Sequence, residues 1–488
     1  MRFSLIAMPY CKNLYLACLL CVVVNISLAQ STSVYFSSLS STVYGNRIAA
    51  LKARKIPAVY LEKKEQKTYA EIIKDRNENL LSDFVNDRIV YDTMLLNKSN
   101  SIIKKIQAAN RQFSFDSIQV FINRSPVANA SCYGEGTLFI NLGLFLWVDT
   151  DDELALIIGH ELSHQFLNHS EAKIKKNIAL ISSEDFIKEM NAIKKSSDGK
   201  YERYKNLMKD MVTQNGTHSR YKESEADSLG VLLIKNAGYD VKNAALILLK
   251  LDHVDDLFIS DNLYNVTKAF EKTGADNAIL KKNSKYNGLS MANVTMNADK
   301  DFDSVKTHPD CIARYKQITQ NLPPSSGMEC CKAITPSLKV YKERALIEIT
   351  RYAYESRRYT LCVHLCLFAL QNGFSDTMYS SFLSASFSGI YLADKHFEKF
   401  SVTDMKAKNG SSLKELQDII FNANSTNIAR IATYFLNNIS PANREEYNFC
   451  QLIYNIATSN AEAALLQTKY TTAFPYSKYN YLLKIKTQ

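Results

Sequence analysis

The sequence predicts a mainly α-helical fold with a small β-sheet, and three observations carry that expectation. Apolar residues recur at helical spacing over most of the chain beyond residue 70. Two short stretches are strand-like: 117–122, which alternates and is β-branched, and 136–141, whose Thr137-Leu138-Phe139-Ile140 core follows the turn signal Gly134-Glu135-Gly136. From about Pro336 helix-length patterns rich in Ala, Leu and Tyr alternate with polar turns.

Arg2 and Lys12 flank an apolar run over 14–24 that ends in Ser27-Leu28-Ala29, the pattern of an export signal, so residues 1–29 are expected to be a signal peptide. Residues 30–84 read as a polar and then helical extension, 85–325 as a first domain and 336–488 as a helical tail, loosely like tetratricopeptide repeats. In the first domain a helix runs from Glu153 to about residue 167, with Leu154, Ile157, Ile158 and Leu162 at helical spacing. Asp149, Thr150, Asp151 and Asp152 supply its cap and an acidic first turn. A Lys-rich helical segment covers about 171–211, broken near Ser196-Ser197-Asp198-Gly199. Further helices are expected over about 219–236, stopped by Gly238, and over 241–251. Residues 260–305 are polar and read as a surface excursion, after which Pro309 opens a short helix. Tail helices are expected over 345–355, 360–371, 378–392, 427–436 and 446–470.

A chain of 488 residues is long enough for two or three domains. Its formal charge of +10 comes from dispersed lysines. No stretch interleaves arginine with aromatics, which argues against a nucleic-acid groove. The basic surface reads as solvated, with attraction to an anionic membrane left open. After the leader no apolar run is long enough to cross a bilayer, so an exported chain, periplasmic or secreted, is expected. Of ten cysteines, Cys11, Cys18 and Cys21 lie in the leader, leaving seven, an odd number that cannot all pair. Cys362 and Cys366, four apart on a predicted helix, lack a second ligand pair and read as packing residues.

Gly159-His160-Glu161-Leu162-Ser163-His164 contains His-Glu-x-x-His. On a helix, positions four apart share a face, so both imidazoles reach one metal ion. Glu161 sits one residue on, where it contacts a water at that metal without being a ligand. A catalytic zinc site needs a third protein ligand. His169 is badly spaced for it: a longer His-Glu-x-x-His-x-x-Gly-x-x-His motif would need Gly at Leu167 and His at Ser170. Continued as a helix, the chain turns His169 away from both ligand histidines, and it reads as a structural or supporting residue. Glu223 and Asp227 also share a helical face, whereas Glu225 points elsewhere, toward solvent. Taken alone, such acids are ordinarily surface charge.

The run from Asn141-Leu142-Gly143-Leu144 through His164, followed by Glu223-x-x-x-Asp227, resembles the gluzincin family that contains HtpX and the CAAX prenyl protease. Asn129-Ala130, His169, Ala237-Gly238-Tyr239-Asp240 and Thr307-His308-Pro309 with Arg314 add to the resemblance, which covers roughly residues 85–325. It implies a peptidase domain with one zinc ion per chain, held by His160, His164 and Glu223, with Asp227 fixing a ligand histidine. Glu161 would take a proton from the attacking water and return it to the leaving amine. His308 has two readings, an oxyanion-stabilising or zinc-approaching residue and a helix-entry residue before Pro309. Thr137, Leu138, Phe139 and Ile140 are expected either to bind extended substrate at an exposed sheet edge or to form a buried strand. HtpX and the prenyl protease span membranes several times and this chain does not, which favours the soluble exported members with helical-repeat tails. The function expected is endopeptidase cleavage of polypeptides in the cell envelope, for protein quality control, with an envelope partner on the tail. The alternative is a chaperone-like or scaffold protein with a vestigial metal site.

Overall fold

The computed structural model describes residues 62–85, 88–115, 118–133, 136–260, 263–276, 311–320, 336–374, 377–403, 409–440 and 442–484, with isolated positions outside them. The expected leader, most of the polar excursion, and His308 lie outside the described residues. The fold is mainly helical with one small sheet, as the sequence predicts.

Strands β1 (Ile89–Val90), β2 (Gln119–Asn123), β3 (Ala130–Tyr133) and β4 (Thr137–Asn141) are ordered β1-β2-β4-β3. β4 runs parallel to β2, with Phe121 opposite Phe139, and antiparallel to β3, with Cys132 opposite Leu138. Of the two readings of Thr137, Leu138, Phe139 and Ile140, the buried strand holds and the exposed edge does not: the strand is central and these four side chains are buried. Its backbone donors and acceptors are already committed on both sides, so no peptide can be added there. The edge is β3.

The period-2 alternation gives each face its own partner. Val120, Ile122, Leu138 and Ile140 enter the main core, while Phe121 and Phe139 meet Leu80 and Phe84 of helix α1 (Lys63–Val85) on the other face. Against the first face lie α2 (Thr93–Ala109), the short α3 (Leu142–Phe145) and α4 (Asp151–Phe166). Gly143 permits the entry into α3, because a Cβ there would sit 2.0 Å from the carbonyl oxygen of Pro126.

α5 (His169–Ser182) and α6 (Glu184–Lys195) then lead into α7 (Lys200–Asn236). α7 is continuous through residues 211–219, where the sequence suggested two separate helices. α8 (Val241–Ser260), α9 (Val266–Phe270) and α10 (Cys311–Thr319) complete this half. Cys362, Cys366 and Cys450 are buried thiols. Among the described residues, no helix is long and apolar enough to cross a membrane.

In the tail, α11 (Pro336–Glu355) packs on α3, and α12 (Tyr359–Gln371) and α13 (Thr377–Lys395) follow as an antiparallel pair. α14 (Lys399–Thr403), α15 (Ser412–Asn422), α16 (Ser425–Asn437), α17 (Arg444–Ala457), α18 (Ala463–Ala473) and α19 (Asn480–Lys484) come after them. α13 is the hub, touching α11, α12, α14, α16 and α17. The single helix expected over 446–470 is two, split where Ser459 adopts a left-handed φ of 54°. One continuous apolar core runs through both halves, joining Leu144 and Phe145 to Leu346, Ile349 and Phe382.

Charge joins the halves as well. Arg124, which follows β2, is 2% exposed, and its Nε lies 2.9 Å from Glu348 of α11, which is wholly buried. Arg344 of α11 reaches Asp92 at 2.7 Å, and Lys342 pairs with Asp149 beside the start of α4.

Candidate metal centre

α4 starts where Thr150 accepts a hydrogen bond from the Glu153 amide, and Asp151, Asp152 and Glu153 complement the positive end of the helix dipole. Leu154 to Ser163 are all buried, so this helix is held on every side rather than on one stripe. Its opposite number is α7, whose Ala226, Leu233 and Ile234 pack toward it. Burial of Leu233 and Ile234 stabilises the pair by roughly 1.5–3 kcal/mol each. Gly159 and Gly230 mark the crossing: a Cβ on Gly230 would sit 3.0 Å from the His160 amide nitrogen. The backbones meet there, and two short carboxylates on α7 can therefore reach α4.

His160 Nε2 and His164 Nε2 lie 3.1 Å apart, each 3.4 Å from an oxygen of Glu223. One donor atom from each of the three residues falls within 4.8 Å of the others. Asp227, one turn beyond Glu223, contacts His160 Nδ1 at 2.9 Å. As an ionised acceptor it takes the Nδ1 proton and leaves the Nε2 lone pair facing the centre. Arg314 of α10 closes this side, its Nε 2.8 Å from one Asp227 oxygen and its terminal nitrogen 2.7 Å from the other. That fork holds the Asp227 carboxyl down at about 2 against the burial that would raise it. Burial and the Arg314 charge oppose a proton on His160, but hydrogen bonds to Asp227 and Glu223 outweigh both and raise it to about 9. The cluster is built to hold positive charge at its centre.

Two corrections concern the far side. His169 does not turn away: its Nδ1 lies 2.9 Å from His164 Nδ1, and its Nε2 lies 3.4 Å from Glu225, which is partly shielded rather than solvent-facing. The helical projection failed because Asn168, with φ 54°, ends α4, and His169 opens the next helix. The tautomers are self-consistent, with His169 donating from Nε2 to Glu225 and accepting at Nδ1 from His164. Each metal-facing imidazole thus has a carboxylate behind it, direct for His160 and relayed for His164.

Glu161 points to the sheet. Its Oε2 accepts the Cys132 amide of β3 at 2.9 Å, and Gln165, one turn on, accepts the Gly136 amide at 3.2 Å. The Cys132 amide points off the side of β3 away from β4, so Glu161 links that strand to the helix that carries the histidine pair. The sequence reading brought out His160, Glu161, His164, Glu223 and Asp227 but not the work of Arg314, Gly230, Gln165 or β3. For Gly230 the spacing to Asp227 was the available signal: three on from that acid, it lies on the same face.

Two imidazole nitrogens and one carboxylate oxygen, with the Glu161 carboxylate beside them, are the donor set that gluzincin metallopeptidases use. Comparison with known proteins agrees. Residues 96–322 match the model of peptidase family M48. The chain is 28% identical over 180 residues to the mitochondrial metalloendopeptidase OMA1 of Arabidopsis thaliana, covering 36% of this chain and 34% of that protein. It is 30% identical over 126 residues to the metalloprotease YcaL of Escherichia coli, covering 24% of this chain and 48% of that one. The chain thus spans less than half the length of either relative.

Proposed function

We propose that the protein is a zinc-dependent endopeptidase acting on polypeptides in the cell envelope, in protein quality control. The observation that carries the reading is the convergence of His160, His164 and Glu223 beside an unligated Glu161. The donor set fits zinc, with two borderline nitrogens and one oxygen and a fourth position left for the reaction. When bound, the ion supplies Lewis acidity. The chain's own groups do the rest. Asp227 and the His169–Glu225 pair fix the tautomers of the two imidazoles, and Arg314 fixes Asp227. Glu161 holds the proton taken from the attacking water and gives it to the leaving amine. An extended substrate lies along β3, an edge strand beside Glu161, rather than along the central β4. Envelope location rests on the leader pattern of residues 1–29. A mitochondrial destination is the second reading, because the Arabidopsis relative is named as mitochondrial.

The test is a casein digest with purified wild type, wild type plus chelator, and Glu161→Gln, with metal content measured in parallel. Equal zinc in both proteins, with cleavage only by the wild type, is expected. Zinc without cleavage in either would favour a client-binding scaffold, and absence of zinc from the wild type would end the reading. Fractionation of cells carrying a tagged chain decides between the two locations.

A further inference from the structure

The tail contains a groove that the peptidase chemistry does not use. It has a volume of about 560 Å³, is open to solvent, and none of its lining residues belongs to α4, α7 or α10. Tyr391 and Lys395 of α13 form one wall, Tyr454 of α17 another, and Arg430, Thr433 and Tyr434 of α16 the floor. Thr426, Arg430, Thr433 and Asn437 make a continuous stripe at helical spacing along α16. The opposite face of that helix, Ile428, Ile431, Ala432 and Leu436, already supplies its packing. The groove stripe is therefore not needed to seat the helix.

The chemistry of the lining is one-sided: two cations, three tyrosines, hydroxyls and an amide, and no carboxylate. Lys395 is exposed and its ammonium sits 5.5 Å from the centre of the Tyr391 ring. Arg430 lies 3.6 Å from Asp276, but both side chains are more than half exposed, so water screens the pair and a ligand carboxylate can displace it. Asp394, the other acid recorded against the lining, is taken up by Ser425 and Lys399. Tyrosine and arginine are the residues that anchor polypeptide contacts, because rigid amphipathic rings and planar guanidinium forks lose little freedom on binding. Two isolated cations do not track a phosphate backbone, which argues against nucleic acid. The volume falls in the usual range of ligand sites, roughly 300–1,000 Å³.

We infer that this groove binds an extended polypeptide segment rich in acidic and aromatic residues, its carboxylates on Lys395 and Arg430 and its rings among Tyr391, Tyr434 and Tyr454. The test is fluorescence anisotropy on the full-length protein with a labelled decapeptide alternating Glu and Tyr, the same peptide with Lys for Glu, and a labelled single-stranded oligonucleotide. The acidic peptide is expected to bind saturably and at least ~10-fold more tightly than the basic one. Lys395→Glu with Arg430→Glu should weaken it a further ~10-fold or more, with the melting temperature unchanged, since both sites are exposed. If reversal lowers the melting temperature, the Lys395→Gln/Arg430→Gln pair replaces it and must show the same direction of loss. Equal binding of the two peptides, equal binding of the oligonucleotide, or full affinity in the neutral pair would overturn the inference.

Discussion

Gly159 and Gly230 touch where α4 crosses α7, and the contact sets the distance between His160 and the carboxylates of Glu223 and Asp227. A Cβ on Gly159 would come within 2.9 Å of Ile234, and one on Gly230 within 3.1 Å of the His160 Cα. The atoms in the way at Gly230 are backbone, which cannot turn aside. The helices would have to separate, and a metal centre built across them would loosen.

Gly230→Ala is therefore expected to cost about 1–3 kcal/mol of stability through overpacking and to weaken metal binding beyond that loss. Thermal melts with and without zinc check it. A variant whose melting temperature falls equally in both conditions would show that the crossing matters to the fold alone.

The sequence exposed what is local and concealed what is not. His160 and His164 share a helix, so their convergence follows from spacing alone. Glu223 arrives from another helix 59 positions later, and only the family resemblance singled it out. His169 was misread because Asn168, a residue type that tolerates the left-handed turn ending many helices, was passed over as a stop signal. The strand at Thr137 was legible, but whether it lay at the edge depended on β3 pairing beside it, which its own residues do not encode. The tail helices were legible from their period. Their sharing of one core with the peptidase half was not, because Arg124 and Glu348 are more than two hundred residues apart.

Arg314 forks onto Asp227 and also lies 3.2 Å from His160 Nδ1 and 3.7 Å from Glu223, but a guanidinium has no lone pair for a metal, so its replacement tests support rather than ligation. Arg314→Gln should lower zinc affinity by about 10–100-fold, the usual cost of losing such a partner. Arg314→Lys should restore little of it, because an ammonium cannot span both Asp227 oxygens. Competition with a zinc chelator measures both. Unchanged affinity in Arg314→Gln would mean that Asp227 is held by its surroundings without the guanidinium.

Stability should fall as pH rises through neutrality, on account of Glu348. Burial is the largest influence on its carboxyl, which the nearby Arg351 and Arg124 only partly offset, and the result is a shift from 4.5 to about 7. A raised folded-state value means that the fold binds the proton more tightly than the unfolded chain does. The stabilisation is complete below about 4.5 and is lost as pH climbs through about 7. Asp227 acts oppositely, but only in the acid range, because its value is lowered to about 2. Urea midpoints of wild type and Glu348→Gln, taken at about pH 5 and about pH 8, should show the wild type losing ground to the variant at the higher pH. A constant difference would place the Glu348 titration elsewhere.

The tail should prove inseparable from the peptidase half. A chain ended at residue 335 would leave Arg124 buried without Glu348 and Glu355, and Asp92 without Arg344. Breaking a buried pair by removing one partner costs about 3–5 kcal/mol, set against a total stability of roughly 5–15 kcal/mol. Leu144 and Phe145 would also lose the apolar side chains of α11 that pack on them. The truncated chain is expected to lack a cooperative thermal transition and to bind zinc weakly, even though every ligand is present. The double variant Arg124→Met/Glu348→Met in the full chain separates the two causes. It removes the charges but keeps the apolar cover, and should melt cooperatively near the wild type if burial of α11 matters more than its ion pairs. A truncated chain that melted cooperatively and bound zinc normally would show instead that the shared core is dispensable to the metal centre.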